Sequence, residues 1–398
     1  MPTFSPLYSI PYIIFFLLLY VNVVPLYKTN TDFSFNNKYT IWLQHFFVAV
    51  LLIIFIGFRG FLYTDWINYY RVYETTPSLF DGAYSINKFF ERSWEKGFLF
   101  YMIICKTIFP NYFFLQLISF IIDCIILYSF FKRIIPNYIV LGFIFYILFA
   151  GINIEFNLLR NSKAIMLFLI SLKSLEERRF LKYIIINSIG VLFHITALLY
   201  FPLYFILNRK ISRTVILFLF IVGNILFLLQ IEWCKLLLTS ISTMIPGRLG
   251  TLLKVYLSSD LYSKAYGITI GYIERFFTFI VIYYLFDKLC KINKYNLIYI
   301  NAFFIYCFIF LYFSEMTILL ERVAILFVFS YWILYPQLYS LIKNKNKKIF
   351  LVILLLYGVL KMSGNRNVLM LYDNIMFSHR SYHERKIILE RNIKNIYE

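Results

Sequence analysis

Charged side chains are scarce in this sequence. Asp, Glu, Lys and Arg make up 15% of its 398 residues, whereas 61% are hydrophobic and the mean hydropathy is +0.73. Because a soluble globular domain carries roughly 25% charged residues, the chain has too little polar surface to cover itself in water. The sequence also lacks the short alternating polar and apolar segments of a transmembrane β-barrel. Apolar runs of about 20 residues recur instead, each long enough to cross roughly 30 Å of hydrocarbon as a helix.

Acidic residues are also few, and the cysteines show no paired spacing. The chain has 20 Asp and Glu against 39 Lys and Arg, a formal net charge of +19, but no basic soluble domain that could bind nucleic acid. The positive charge is instead typical of cytoplasmic loops that face anionic lipid headgroups. The five cysteines are scattered, mostly in apolar runs, so they predict neither a zinc site nor a disulfide framework. We expect no metal and no cofactor.

The apolar runs predict an all-α fold, a polytopic transmembrane bundle of about ten to twelve helices. We expect a single integral membrane domain over residues 1–361, followed by a charged and helical tail over 362–398. Two segments are too polar to be spans, namely 59–97 and 232–270. Loops of this length in a compact bundle are usually functional.

Basic turns predict the orientation of the spans. Lys and Arg gather in five short segments, at 132–133, 173–182, 209–213, 288–294 and 343–348. Such turns face the cytoplasm, which places the segments between them outside, at 151–160, 232–270 and 314–322. Two stretches fit either one span or a pair of short helices, namely 183–207, turning near His194, and 98–131. Whether 98–131 is one span or two short helices decides on which side of the membrane loop 59–97 lies.

The first polar constellation ends the second apolar run. Arg59 closes that run, and Asp65, Asn68 and Tyr69 follow shortly after it. Arg59 could hold an anionic headgroup through its fork of donors, while the other three bond sugar hydroxyls. The alternative is an aromatic belt with an anchoring Arg59 and a helix N-cap at Asp65.

The second constellation opens a helix on the predicted outer side. Arg160 and Lys163 are three residues apart and share one helical face. A helix N-terminus adds positive potential, so the pair suits a diphosphate; a snorkelling pair near a span end is the alternative. His194 lies inside a strongly apolar segment and is a candidate base or phosphate ligand, or a hydrogen-bonded packing residue.

The third constellation, Glu315 to Arg322, lies between two late spans on the same predicted side. Glu315 is a candidate free base, and Glu321 could orient Arg322. Arg248 and the pair Glu274-Arg275 add further cations. Several arginines with few balancing acids indicate an anionic ligand. No P-loop, zinc helix motif or serine-hydrolase elbow is present.

Taken in order, these residues resemble the EpsG family of membrane polysaccharide polymerases, which are related in function to the Wzy O-antigen polymerases. The resemblance covers roughly residues 45–340. It rests on Phe58-Arg59, Asp65 with Asn68-Tyr69, Glu95-x-Gly97, Arg160 with Ala164, the basic turn that follows, His194 with Ala197, and Arg322. Asn161-Ser162-Lys163 departs from the family pattern, in which Gln stands next to the Arg.

The resemblance implies a GT-C-like membrane architecture and a glycosyltransferase of the bacterial inner membrane. Its substrates would be oligosaccharide repeat units on a polyprenyl diphosphate carrier, joined on the outer face with release of polyprenyl diphosphate. A chain-length regulator protein is a possible partner. The implied roles are diphosphate binding by Arg59, Arg160, Lys163, Arg248 and Arg322, acid–base catalysis by Asp65, His194 or Glu315, and glycan binding by Asn68, Tyr69 and Glu95. Arginines would replace the usual divalent ion, so catalysis would be metal-independent.

Other membrane activities fit less well. An O-antigen ligase would need a lipid A core acceptor, which a sequence does not reveal. A lipid-linked oligosaccharide flippase or other transporter would be expected to show internal halves of similar pattern, and the sequence has no repeat. A membrane O-acyltransferase would carry an early His/Arg motif in its first span, and none is present.

Overall fold

A computed structural model describes residues 2–23, 35–244, 267–316, 320 and 322–397. Throughout these residues the regular secondary structure is helical, and extended pairing is limited to isolated bridges. The predicted all-α fold is therefore confirmed. The chain divides into two compact units, unit 1 (Met1–Phe201 with Leu338–Glu398) and unit 2 (Pro202–Gln337). The single membrane domain over residues 1–361 stays a prediction.

The helices follow one another with short connections. In chain order they are α1 Ile10–Val21, α2 Phe35–Leu52, α3 Trp66–Glu74, α4 Gly82–Phe90, α5 Lys96–Ile108, α6 Tyr112–Ile134, α7 Ile139–Tyr146, α8 Ile152–Asn157, α9 Leu159–Glu176, α10 Phe180–Val191, α11 Leu203–Ile206, α12 Arg213–Leu228, α13 Trp233–Met244, α14 Ile270–Tyr284, α15 Phe286–Ile292, α16 Asn296–Tyr312, α17 Phe329–Leu341, α18 Asn344–Met362 and α19 Tyr382–Tyr397. Short 3-10 or π turns link several of them, including Ile53–Gly57 and Ile195–Tyr200.

Four helical segments are long and apolar enough to cross a membrane, namely Tyr39–Gly57, Tyr112–Ile134, Pro136–Asn157 and Ala324–Leu341. A fifth is present if α12 and α13, bent by 80° at their break, count together. The chain is therefore a multi-pass membrane protein, with fewer full-length spans in its described residues than expected. Other apolar stretches form helices of 10–17 residues, and 12 residues rise only about 18 Å.

Helices α6 and α9 run parallel through unit 1. Lys163 Nζ, in the second turn of α9, lies 2.6 Å from Asp123 Oδ2, near the middle of α6, and Arg133 pairs with Glu176 at the C-terminal ends of the two helices. The basic turns that follow the two helices therefore lie at one end of unit 1, as the charge pattern predicted. Arg160, near the start of α9, lies towards the opposite end.

The stretch 180–200 is a hairpin of two short limbs. Helix α10 ends at Val191, and a 3-10 turn begins directly after His194. The Tyr183 hydroxyl donates to the Tyr200 carbonyl at 2.5 Å, which places the two limbs side by side. The sequence allowed either one span or a pair of short helices here, and the structure shows the pair.

The stretch 98–131 is also broken into two helices. The break at Pro110 and Asn111 separates α5 from α6, and the Tyr101 and Ser119 hydroxyls are 2.8 Å apart across the pair. With 13 residues, α5 rises only about 20 Å, less than a full crossing.

The C-terminal tail packs onto the chain that leaves α2. The Gly60 N–H donates to the Asp373 carbonyl at 2.8 Å, and the Ile375 N–H donates to the Phe58 carbonyl at 3.0 Å. The Asn374 amide donates to the Ile54 carbonyl at 2.8 Å. Gly60 is required for this approach, because a Cβ there would lie 2.3 Å from Asp373 Oδ2. The tail thus satisfies carbonyl groups that the π turn leaves open.

Unit 2 is built around α12, α14 and α16. The Phe220 and Phe279 rings stack with centroids 3.6 Å apart, which joins α12 to α14. The Tyr312 hydroxyl donates to the Leu219 carbonyl at 2.9 Å, which joins α16 to α12. Asn301 is buried and donates to two carbonyls near α11.

The buried Lys163–Asp123 pair yields a stability prediction. Asp123→Leu should lower the free energy of unfolding by about 3–5 kcal/mol, because it leaves a buried ammonium without its counter-charge. Thermal unfolding of the detergent-solubilised protein measures this, and the double change Asp123→Leu with Lys163→Met should recover most of the loss. Arg179→Ala is the matched control, since its ion pair with Glu177 is at the surface. Equal effects of the buried and surface changes would contradict the prediction.

Candidate functional site

Arg160 occupies the centre of a polar cluster in unit 1. Its Nη1 lies 2.6 Å from Glu95 Oε2, and its Cζ lies 4.6 Å from the centroid of the Trp94 ring. Its backbone N–H donates to the Tyr69 hydroxyl at 3.5 Å. The side chain of Arg160 is 25% exposed, and its Nε, which is buried, has no hydrogen-bond partner in the described part of the chain. A guanidinium fixed on two sides, with donors left over, is suited to binding an anion.

Glu95 joins Arg160 to the tip of the 180–200 hairpin. Its second oxygen, Oε1, accepts from the Ile195 N–H at 3.2 Å. The Phe98 N–H also donates to the Leu192 carbonyl at 3.1 Å. Gly97 permits this approach, because a Cβ there would lie 2.8 Å from that carbonyl oxygen. The Glu95-x-Gly97 motif thus combines an arginine partner with a docking point for the hairpin.

His194 lies at the hairpin tip and is half-buried. Its Nδ1 accepts from the Thr196 N–H at 3.3 Å, and the Thr196 hydroxyl donates to Asn161 Oδ1 at 2.9 Å. Asn161 is the neighbour of Arg160, so the hairpin brings His194 to the same cluster. Nδ1 also lies 2.8 Å from the Thr196 hydroxyl, so the backbone and the side chain of Thr196 together fix the orientation of the imidazole.

Helix α3 contacts Arg160 through Tyr69. The Asp65 N–H donates to Asn157 Oδ1 at 3.0 Å, and the Thr64 hydroxyl donates to the same oxygen at 3.0 Å. These bonds attach the start of α3 to the segment that leads into α9. Asp65 occupies the N-cap position of α3, although its carboxylate makes no capping hydrogen bond.

The predicted glycan-binding residues differ in exposure. Asn68 is exposed, whereas Tyr69 is 5% exposed and contacts Arg160. Glu95 is the ion-pair partner of Arg160. Asn68 is therefore the most exposed of the three, while 18% of the Glu95 side chain is accessible.

The contacts of Arg59 differ from those expected of a residue that binds a diphosphate. It is 4% exposed, its Nη1 donates to the Ile56 carbonyl at 2.8 Å, and its Nη2 donates to the Glu155 carbonyl at 2.5 Å. Its Cζ also lies 5.4 Å from the centroid of the Phe156 ring. Because the guanidinium is buried against these groups, Arg59 clamps the end of α2 to α8 in this structure.

Lys163 also differs from its predicted role. Its ammonium is buried and donates to Asp123 Oδ2 at 2.6 Å and to the Ser119 carbonyl at 2.7 Å. Arg160 and Lys163 therefore do not face one ligand together. The pairing has a simple cause, because a buried ammonium must be paired with a counter-charge; diphosphate binding by Lys163 stays a prediction.

In unit 2, Glu315 is likewise buried and hydrogen-bonded within the protein. It is 2% exposed, and its two oxygens accept from the N–H groups of Cys234 and Lys235 at 2.6 and 3.2 Å. These are the first free N–H groups of α13, so the carboxylate caps that helix from outside. Burial raises the pKa of Glu315. The expectation of a free base does not agree with this geometry.

The remaining predicted cations of unit 2 fall into two groups. Arg322 is half-buried and lies just before the 3-10 turn Ala324–Phe327 that leads into α17, whereas Arg248 and Glu321 lie outside the described residues. Glu274 accepts from the Tyr335 hydroxyl at 2.9 Å, and Arg275 Cζ lies 3.8 Å from the centroid of the Phe310 ring. Diphosphate binding by Arg248 and Arg322 stays a prediction.

Several residues of the site were not predicted from the sequence. Trp94, Asn157, Asn161 and Thr196 hold Arg160, α3 and His194 in place. Trp94 is next to Glu95 and could have been found from that position; the amides and the hydroxyl give no sequence signal. In the described part of the chain, no three His, Cys, Asp or Glu side chains gather as metal ligands would.

A comparison with known proteins decides the family. The model of the EpsG family matches residues 42–365 of this chain. The chain belongs to the EpsG family. The match includes Glu95, Arg160 and His194, and it ends before the tail segment that packs onto Gly60. No curated protein matches the chain, and no solved structure does.

The capping role of Glu315 yields a second prediction. Glu315→Ala should destabilise the protein by about 1–2 kcal/mol, because it removes the cap of α13, and should leave any activity per folded molecule unchanged. Thermal unfolding and limited proteolysis measure the first effect. Glu232→Ala, which removes an exposed i,i+3 partner of Lys235, is the control. Lost activity at full stability would instead support Glu315 as a base.

Proposed function

We propose that this EpsG-family protein is a membrane glycosyltransferase that polymerises lipid-linked oligosaccharides. In this proposal it joins repeat units carried on polyprenyl diphosphate at the outer face of the bacterial inner membrane. The observation that carries the proposal is the Arg160 cluster, a partly exposed guanidinium with unused donors held by Glu95 and Trp94. Family membership supports a role in exopolysaccharide synthesis.

The reaction is a transfer between two lipid-linked sugars. A hydroxyl oxygen of the acceptor repeat unit forms a bond to the anomeric carbon of the donor sugar. The bond from that carbon to the diphosphate breaks, and its electron pair leaves with polyprenyl diphosphate. The hydroxyl proton passes to a protein carboxylate. The site must therefore stabilise a departing anion and accept one proton.

The residues around Arg160 fit these two tasks. Arg160 would hold the donor diphosphate through its free donors and stabilise it as a leaving group. His194, at the tip of the hairpin, would contribute a hydrogen bond from its imidazole to the same anion. Asp65 begins α3 one turn before Tyr69, which contacts Arg160, and is the best placed carboxylate to accept the proton. The exposed Asn68 would bond sugar hydroxyls.

The positive-inside rule supports an outer-face position for this site. The basic turns after α6 and α9 lie at one end of unit 1, and Arg160 lies towards the other. Cytoplasmic basic turns would therefore direct Arg160 outwards. That is the side on which a repeat unit already moved across the membrane would be presented.

Deletion of the gene tests the polymerase activity. The expected result is loss of the long-chain polysaccharide ladder on a gel, while glycolipid carrying one repeat unit remains. The long chain requires transfer between repeats, whereas the single repeat does not. Loss of the single repeat as well would favour a flippase or a ligase and contradict the proposal.

Variants of Arg160 test the site. Arg160→Ala should lower polymer formation by about 10²–10³-fold at normal protein level, because a donor to the leaving group is removed. Arg160→Lys should recover little, since an ammonium does not reproduce the fork held by Glu95 or the contact with Trp94. Arg179→Ala, at the opposite end of unit 1, is the matched control and should retain the ladder. A full ladder in Arg160→Ala would reject this role.

A further inference from the structure

The C-terminal tail gathers three basic side chains around one buried carboxylate. Asp373 Oδ2 lies 3.4 Å from His379 Nδ1 and 3.9 Å from Arg385 Nε, and Asp373 Oδ1 lies 4.0 Å from Arg380 Nη1. The side chain of Asp373 is fully buried. Arg380 and Arg385 carry two positive charges against the one negative charge of Asp373, and the exposed Glu384, which interacts with Arg380 and His379, lies at the edge of the cluster.

The basic groups have donors to spare. The carboxylate accepts its one close hydrogen bond, at 3.0 Å, from the Arg380 backbone N–H. In the described part of the chain, the side chains of His379 and Arg380 make no hydrogen bond, and they are 32% and 26% exposed. Arg385 Nε is buried and has no hydrogen-bond partner there. Burial lowers the pKa of Arg385 to about 10, so it is still charged at neutral pH.

Contacts with neighbouring segments hold the cluster in place. The hydrogen bonds between 58–60 and 373–375 hold the tail against the end of α2. The His379 ring packs edge-on against Phe113, with centroids 4.9 Å apart, and Arg385 Nη2 donates to the Leu371 carbonyl at 2.6 Å. Cations held in place in this way bind an anion without first being ordered.

Helix α3 separates this cluster from Arg160. The Tyr70 ring stacks on Tyr382, with centroids 4.8 Å apart, whereas the adjacent Tyr69 contacts Arg160. The two cationic sites therefore contact adjacent faces of one helix, since consecutive helical residues point about 100° apart. Both are in unit 1 and towards the same end of it.

We propose that the exposed His379 and Arg380, with the buried Arg385 behind them, form a second anion subsite that holds the diphosphate of the acceptor lipid. The inference rests on the proposed polymerase function. That reaction uses two lipid-linked diphosphates at once, and both carriers lie side by side in one leaflet. Arg160 binds the diphosphate that leaves, and the tail binds the one that stays attached to the growing product. The shared chemistry is a phosphate-bearing lipid, so an anionic phospholipid headgroup is the competing source.

Binding of undecaprenyl diphosphate to the full-length protein tests the proposal. In nanodiscs of neutral phospholipid, the wild type should bind two equivalents. Combined His379→Gln and Arg380→Gln should weaken one equivalent at least tenfold, and Arg160→Ala should weaken the other. Lys386→Gln, which alters an exposed residue of α19 paired with Glu390, is the matched control and should bind two. Unchanged unfolding temperatures show that the variants fold.

The outcomes separate the two proposals. If the His379/Arg380 variant still binds two equivalents, the tail subsite is rejected. If anionic phospholipid in the nanodisc displaces the second equivalent from the wild type, the site binds ordinary headgroups and the proposal also fails. If the wild type binds one equivalent and Arg160→Ala binds none, the tail subsite is rejected and the proposed function is not. No binding by the wild type contradicts the proposed function itself.

A kinetic measurement adds a readout that a purely structural tail would not change. The His379/Arg380 variant should show at least a tenfold higher KM for the acceptor lipid with kcat nearly retained. A uniform loss of kcat with unchanged KM would contradict acceptor binding. Arg380→Lys, which keeps the charge, should recover part of the affinity.

Discussion

Hydrocarbon offers no hydrogen bonds, so each place where a membrane helix breaks must find partners inside the protein. In unit 1 this constraint explains most of the polar contacts. The π turn at the end of α2 has its carbonyls satisfied by Arg59 and by the tail residue Asn374. The break at Leu192 is satisfied by the N–H of Phe98. Polar residues therefore collect at the breaks, and the Arg160 cluster lies where one break meets the start of α9.

The same constraint separates structural cations from those available to a ligand. Lys163 and Arg59 are buried and fully engaged with a carboxylate or with carbonyl groups. Arg160 and Arg380 are each about a quarter exposed, and each retains donors without a hydrogen-bond partner in the described residues. Exposure and unused donors, more than the presence of an arginine near a span end, distinguish the candidate anion sites.

Much of the fold was predictable from the sequence because its signals are local. Apolar runs predicted helices, and basic turns predicted which helix ends lie together. Basic residues at both ends of 183–207 indicated that this stretch could turn back on itself, and the structure shows such a hairpin. Arg160 at a helix start and the Glu95-x-Gly97 motif also led to the site. The full length of each span was less predictable, because short apolar helices have the same composition as long ones.

Partners that are distant in the sequence could not be predicted. Lys163 is paired with Asp123, 40 residues away, and Glu315 caps a helix that begins 82 residues before it. The tail was expected to be a helical extension, yet its residues 368–378 pack on the end of α2, more than 300 positions earlier. No local pattern records such pairings, which depend on how the helices pack. The contacts of Lys163 and Glu315 could therefore not be read from the local sequence around them.

The central claim is that this chain transfers a glycan from one polyprenyl diphosphate to another. The most direct measurement uses the purified protein in vesicles, with the lipid-linked repeat unit extracted from a strain that lacks the gene. The account predicts that glycans of two or more repeats form, with one polyprenyl diphosphate released for each bond made. Movement of the lipid-linked unit across the vesicle membrane, with no release of polyprenyl diphosphate, would contradict it.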